Sequence, residues 1–136
     1  MSEGVSEATG RWDKWRSVLP IAYALAIFYG GVINIGELPH TPFVPTDKLL
    51  HAGAFLGLEV LCEWALYLRE ARSRQLLSVL ASAGVGGTLE LVQAALPYRS
   101  ADFWDFFADS VGAVVGAIGI YLLTRALRGA PRGEPS

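Results

Sequence analysis

The stretch FWDFFADSVGAVVGAIGIYLL, residues 103–123, has the length and composition of one membrane-spanning helix and decides the fold. A bilayer core about 30 Å thick needs about 20 helical residues, because each residue adds about 1.5 Å. The rest of the chain agrees, since 52% of its 136 residues are apolar and only 18% are charged. This composition lies outside the usual range of soluble proteins and predicts an integral membrane protein of one domain.

Three further segments have the length of a membrane span. They are residues 17–36, 48–68 and 76–96. Pro39, Pro42 and Pro45 prevent a continuous helix before the second span of the chain, and Pro97 ends the third. The connections are short, so consecutive helices should lie side by side and antiparallel. The predicted fold class is therefore all-α, a polytopic membrane protein with four transmembrane helices in an antiparallel bundle.

The basic residues predict which side of the bundle faces the cytoplasm. Nine of the eleven lie before the first span, between the second and third, and after the fourth: Arg11, Lys14, Arg16, Arg69, Arg72, Arg74, Arg125, Arg128 and Arg132. Only Lys48 and Arg99 lie on the opposite side. The positive-inside rule then places both termini in the cytoplasm. We predict a cytoplasmic segment 1–16, a transmembrane domain 17–124 and a cytoplasmic tail 125–136.

Composition and motifs argue against several classes of function. The net charge of −2 gives no indication of nucleic-acid binding. A single cysteine, Cys62, excludes an intrachain disulfide and a cysteine-based zinc site. The sequence contains no nucleophile motif, phosphate-binding glycine loop or nucleotide fingerprint. No motif indicates a cofactor, a divalent metal stays open, and the residues do not decide whether the protein is an enzyme.

Ionisable residues cluster toward the non-cytoplasmic side. Each costs several kcal/mol at mid-bilayer unless it is paired or hydrated. The predicted outer-leaflet polar cluster consists of Asp47, Lys48, His51, Glu90, Gln93, Arg99, Asp102, Asp105 and Asp109. By helical rise, Glu90 and Asp109 lie about 10 Å below the outer boundary and His51 about 5 Å below it. We expect the side chains of the polar cluster to meet inside the bundle.

The cluster residues form an ordered set of motifs. These are Asp47-Lys48-x-x-His51-x-x-x-Phe55, Glu90-x-x-Gln93, Pro97-x-Arg99-x-x-Asp102-x-x-Asp105 and Gly112-x-x-x-Gly116. In this order they resemble the VanZ-like family of small bacterial integral membrane proteins, over residues 47–119. The resemblance implies a four-helix fold in the bacterial inner membrane and, for the founding member, low-level resistance to the glycopeptide teicoplanin. It implies no settled biochemical activity, and the family commonly has Asn at the position of Asp109.

Each cluster residue also has a structural interpretation. Asp47 suits the N-cap of a helix. His51 is either an interfacial hydrogen-bonding group or an acid, base or metal ligand that faces Glu90 or Asp105. The carboxylates form either a salt-bridge network that holds the helices together or a binding site. Arg99 is either a loop charge or a bidentate ligand of phosphate.

Glu59 and Glu63 lie deeper in the second span and outside the family pattern. Their i, i+4 spacing places them on one helix face. Three interpretations are open for this pair: a contact to a partner subunit, a proton path, or protonated hydrogen-bonding groups.

Three functions follow from these residues. The leading hypothesis is that the polar cluster binds the head group of a membrane lipid or of a lipid-linked cell-envelope precursor, because it opens where a head group reaches. The second is an accessory subunit of a larger membrane complex, which the two deeper glutamates motivate. The third is a metal-assisted envelope hydrolase or transferase that uses His51, Glu90, Asp102 and Asp105 as metal ligands or acid and base groups.

Overall fold

The computed structural model describes residues 3–33, 46–67, 70–99 and 102–129, and these residues form four α-helices. The helices are α1 at Glu3–Val32, α2 at Thr46–Ala65, α3 at Ala71–Ala94 and α4 at Phe103–Gly129. The all-helical prediction is confirmed. The predicted helix breakers Pro39, Pro42 and Pro45 lie outside the described residues, as do Arg69 and Arg132.

The helix ends depart from the predicted spans by a few residues in α2, α3 and α4 and by more at the start of α1. The first helix begins well before residue 17 and ends at Val32, whereas the predicted span runs to residue 36. Asp47 lies in the first turn of α2 instead of at its N-cap, where its charge still favours the helix N-terminus. The third helix ends at Ala94, shortly before Pro97, because a proline disfavours helical geometry in the residue that precedes it.

Two of the helices in the described part of the chain are long and apolar enough to cross a membrane. These candidate spans are Arg72–Ala94 in α3 and Phe103–Arg128 in α4. The apolar part of α1, Arg16–Val32, is shorter. The second helix is not among them by composition, since its twenty residues include Asp47 and Lys48 near the start and two glutamates deeper in the helix.

The distribution of polar and apolar side chains is inverted relative to a soluble protein. Among the side chains that the structure describes, six polar or charged ones are buried: Glu59, Glu63, Ser78, Ser82, Gln93 and Asp109. Large apolar side chains cover the outside, for example Leu91, which is 74% exposed. Extended apolar surfaces of this kind occur where a membrane or a partner covers them.

The second helix is the centre of the packing. It has its most extensive interface with α4 and also contacts α1 and α3. The glycines of α4 allow the close approach to α2. A Cβ atom at Gly112 would overlap the backbone carbonyl oxygen of Ala52, and at Gly116 it would lie 3.1 Å from Cβ of Glu59. Small residues at such an interface let two helix backbones approach without side chains between them.

The Gly112→Ala variant tests this close approach. The new methyl group would meet backbone atoms of Ala52, which cannot move aside as a flexible side chain can. We expect a loss of about 1–3 kcal/mol of stability, as for other overpacked interiors. The measurement is the thermal unfolding midpoint of the purified protein in detergent.

Gly119→Ala is the matched control, because a Cβ atom there meets nothing within 4 Å. Alanine is the better helix former by about 1 kcal/mol, so this variant should be unchanged or more stable. Equal destabilisation by both substitutions would contradict the close approach of α2 and α4.

Candidate functional site

The first turn of α2 is joined to the start of α4 by an ion-pair network around Lys48. Its ammonium group lies 2.6 Å from Oδ2 of Asp102 and is hydrogen-bonded to Oδ1 of Asp105. The carboxylate of Asp47 is 3.7 Å away. One ammonium group thus donates hydrogen bonds to Asp102 and Asp105 and forms an ion pair with Asp47. The network connects elements that are far apart in sequence and brings the predicted residues into contact.

Asp102 organises the start of α4 and the end of α3 together. Its Oδ1 accepts a hydrogen bond from the backbone N–H of Trp104 at 2.9 Å, which is the geometry of a helix cap. Its own backbone N–H donates to Oε2 of Glu90 at 3.0 Å. The hydrogen bond from Lys48 holds the pKa of the Asp102 carboxyl below its ordinary value, and the bond from Trp104 acts in the same direction.

His51 lies one turn beyond Asp47 and makes its shortest contact with Asp109. The Nδ1 atom is 2.8 Å from Oδ1 of Asp109, whereas Nε2 lies 4.0 Å from oxygens of both Asp47 and Asp105. Of the two predicted partners, Glu90 and Asp105, Asp105 lies near the ring, but the shortest contact is with Asp109, one turn deeper in α4. When Nδ1–H donates to Asp109, the lone pair of Nε2 faces the two outer aspartates.

Three of these residues offer ligand atoms for a divalent cation. One atom each of Asp47, His51 and Asp105 lies within 4.8 Å of the others. Two predicted ligands, His51 and Asp105, belong to this group. Of the other two, Glu90 accepts a hydrogen bond from the backbone N–H of Asp102, and the Asp102 carboxylate accepts one from Lys48. The Asp109 contact would orient the histidine as second-shell carboxylates do in metal sites. A cation would compete with the Lys48 ammonium for Asp105.

Gln93 and Arg99 contact the carbonyl end of α1. The side-chain amide of Gln93 donates to the carbonyl of Gly31 at 2.9 Å, and Arg99 donates to that of Ile33 at 2.7 Å. The hydroxyl of Tyr98 donates to the carbonyl of Val32 at 3.1 Å. The last carbonyls of a helix lack partners within it, so these three side chains satisfy the end of α1.

The deeper glutamates find partners on α3. Both oxygens of Glu59 are bound by serine hydroxyls, Ser78 at 2.6 Å and Ser82 at 2.9 Å. Glu63 pairs with Arg74. Both glutamates are buried inside the chain, so they present no surface to a partner subunit. The serines were not predicted from the sequence. Their i, i+4 spacing is the same as that of the glutamates, so each pair lies on one face of its helix.

A family model described as VanZ/LLP1 matches residues 9–125, which include every residue of the polar cluster. The chain belongs to the VanZ/LLP1 family. The predicted VanZ-like resemblance is thereby confirmed, and the family match together with the two apolar helices identifies a membrane protein. No curated protein and no solved structure gives a significant match.

In this VanZ/LLP1 protein the residues of the polar cluster divide into two groups. One group forms the polar network of α2, α3 and α4, with Lys48 and His51 as its basic members. The other group, Gln93 and Arg99, holds the end of α1. The network is open at Asp47, which is 51% exposed, and closed at Asp109, which is 1% exposed. We call the exposed side at Asp47 the entrance of the network and the buried side at Asp109 its floor.

The pKa of Asp102 gives a direct test of the Lys48 contact. Lys48→Met should raise that pKa toward the ordinary aspartate value, because the ammonium hydrogen bond is the first cause of the depression. The folded pKa is depressed, so the contact stabilises the protein above the ordinary value and is lost as pH falls through the depressed one. The contribution to stability is small, since Asp102 is 40% exposed and screened.

The measurement is a carboxyl-carbon NMR titration of Asp102 in labelled protein. Arg125→Met, which removes a cation at the far end of α4, should leave the titration unchanged. An Asp102 titration curve that is the same with and without Lys48 would disprove the contact.

Proposed function

We propose that this protein crosses the bacterial inner membrane four times, with antiparallel helices and both termini in the cytoplasm. The side-chain contacts support this arrangement. Lys48 and Asp102, at the starts of α2 and α4, contact each other, while Arg99 reaches Ile33 at the end of α1 and Glu90 of α3 reaches Asp102. The four helices thus meet at one end. Since Glu59 and Glu63 face the interior, α2 can cross the bilayer despite its charges.

The function we propose for the polar cluster is binding of the head group of a lipid or of a lipid-linked envelope precursor. The observation that carries the proposal is the gradient of exposure across one connected network, from Asp47 at the surface to Asp109 at the floor. On the proposed arrangement, the entrance lies at the outer membrane boundary. A polar head reaches this depth while its chains stay among the lipids.

The charges of the cluster restrict the head groups that fit. Carboxylates outnumber the basic groups, and the Lys48 ammonium is already shared between Asp102 and Asp105. Oxygens without a hydrogen-bond partner among the described residues remain on Glu90 and Asp109. Such a site favours donors, such as sugar hydroxyls, peptide N–H groups or an ammonium group. A phosphate would be met by Lys48, while Arg99 is held at the end of α1.

The lipid content of the purified protein tests the proposal. Asp105→Asn removes a charge that contacts Lys48 and faces His51, and a hydrogen bond to a charged group is worth about 1.5–3 kcal/mol. We expect the variant to bind its co-purified lipid about 10-fold more weakly or worse. The measurement is native mass spectrometry of protein extracted in mild detergent.

Arg128→Ala is the control for general charge effects, because Arg128 lies at the other end of α4. It should retain the lipid, and both variants should elute as monodisperse protein. Lipid retention by Asp105→Asn equal to that of the unmodified chain would remove the head-group proposal.

Orientation in the membrane has an independent test that uses the single cysteine. After Cys62→Ser, a new cysteine at the exposed Tyr98 should react with a membrane-impermeant maleimide in intact cells. A cysteine at Arg72, which is exposed at the other end of the bundle, should react only after the membrane is permeabilised. The opposite labelling pattern would place the polar cluster in the cytoplasm and invert the topology.

A further inference from the structure

A second group of polar side chains, separate from the polar cluster, lies in the interior around Glu59. The side chain is fully buried, and it is held by Ser78 and Ser82 of α3. On the opposite side Gly116 of α4 comes so close that a Cβ atom there would lie 3.2 Å from Cγ of Glu59. The carboxyl group is thus enclosed between two helices, with both oxygens hydrogen-bonded.

A proton on Glu59 would satisfy both contacts of the Ser78 hydroxyl. The serine oxygen has two acceptors in range, Oε1 of Glu59 at 2.6 Å and the carbonyl of Gln75 at 3.0 Å. A hydroxyl has one hydrogen, and an ionised carboxylate supplies none. When Glu59 is protonated, its O–H donates to Ser78 and Ser78 donates to Gln75, so both contacts contain a hydrogen. Ser82 then donates to the other oxygen of Glu59.

The charges near Glu59 lead to the same conclusion. None of the ion pairs formed by described side chains includes Glu59. The nearby titratable groups are Glu63 and Cys62 on α2, with Arg74 of α3 already paired to Glu63. Burying a carboxylate without a cation costs several kcal/mol, which a bound proton avoids.

The surroundings of Glu59 differ in the two directions along α2. One turn away lies Glu63, whose Oε1 has no hydrogen-bond partner among the described residues. Its partner Arg74 lines a cavity of about 440 Å³, together with Arg72, Gln75, Tyr121, Thr124, Arg125 and Arg128. This cavity is large enough for several water molecules. Arg74 thus lies between this cavity and Glu63.

The other approach is closed by apolar side chains. Phe55 lies one turn from Glu59 toward His51 and is 1% exposed. A Cβ atom at Gly86 would meet both Cε1 of Phe55, at 3.3 Å, and Oδ2 of Asp109, at 3.1 Å, so the ring lies beside the floor of the polar cluster. Leu58 and Leu89 are equally buried.

We propose that Glu59, with Ser78 and Ser82, is a proton-binding site in the interior of the bundle. It exchanges its proton with the arginine-lined cavity through Glu63 and is sealed from His51 and Asp109 by Phe55. In the exchange, the O–H bond of Glu59 breaks and the proton binds the carboxylate of Glu63, which passes it to water. Glu59 is left as a carboxylate that accepts from both serines.

Infrared spectroscopy of the full chain in lipid nanodiscs tests the site. A protonated carboxyl group has a C=O stretch at higher frequency than the bands of a carboxylate. At neutral pH we expect this band in the unmodified protein, its loss in Glu59→Gln, and its retention in the matched control Glu63→Gln. Ser78→Ala keeps the carboxyl group but removes one hydrogen bond, so the band should move to higher frequency.

These spectra test both the proton-binding site at Glu59 and the exchange of its proton through Glu63. If the spectra of the unmodified protein and of Glu59→Gln do not differ in this band at neutral pH, the proton-binding site is overturned, as it is by an unmoved band in Ser78→Ala. The route is read from the rate at which the band shifts after transfer to deuterated water. Exchange should be slower in Glu63→Gln, and equal rates would remove Glu63 from the path.

Discussion

The structure depends on one constraint: the outer surface of the helices is apolar, so the ionisable side chains of α2 must find partners on the other helices. Lys48 meets Asp102 and Asp105, His51 meets Asp109, Glu59 meets two serines, and Glu63 meets Arg74. An unpartnered charge in such an interior costs several kcal/mol. These contacts therefore specify which helices surround α2, in addition to stabilising them.

The sequence was sufficient for the helices and for the level at which polar groups meet. Apolar length predicted α2, α3 and α4 within about six residues at each end, whereas α1 begins at Glu3, well before the predicted residue 17. Helical rise placed His51 and Asp109 within about 5 Å of each other in depth. It was not sufficient for the pairing. Whether His51 bonds Asp105 or Asp109 depends on the rotation of α4 about its axis and on how closely Gly112 allows it to approach α2, which spacing alone does not define.

Other parts of the site depended on information that spacing does not contain. The roles of Gln93 and Arg99 follow from where α1 ends, because only the last carbonyls of a helix need outside partners. The serines opposite Glu59 carry no signal in the sequence, because a serine hydroxyl in a helix can donate to a backbone carbonyl of the same helix. Their importance arises from the carboxyl group that they face.

The three side chains that cover the carbonyl end of α1 come from one short segment, residues 93–99. The last carbonyls of α1 therefore share one source of partners, so a displacement of residues 93–99 would remove the hydrogen bonds to all three carbonyls together.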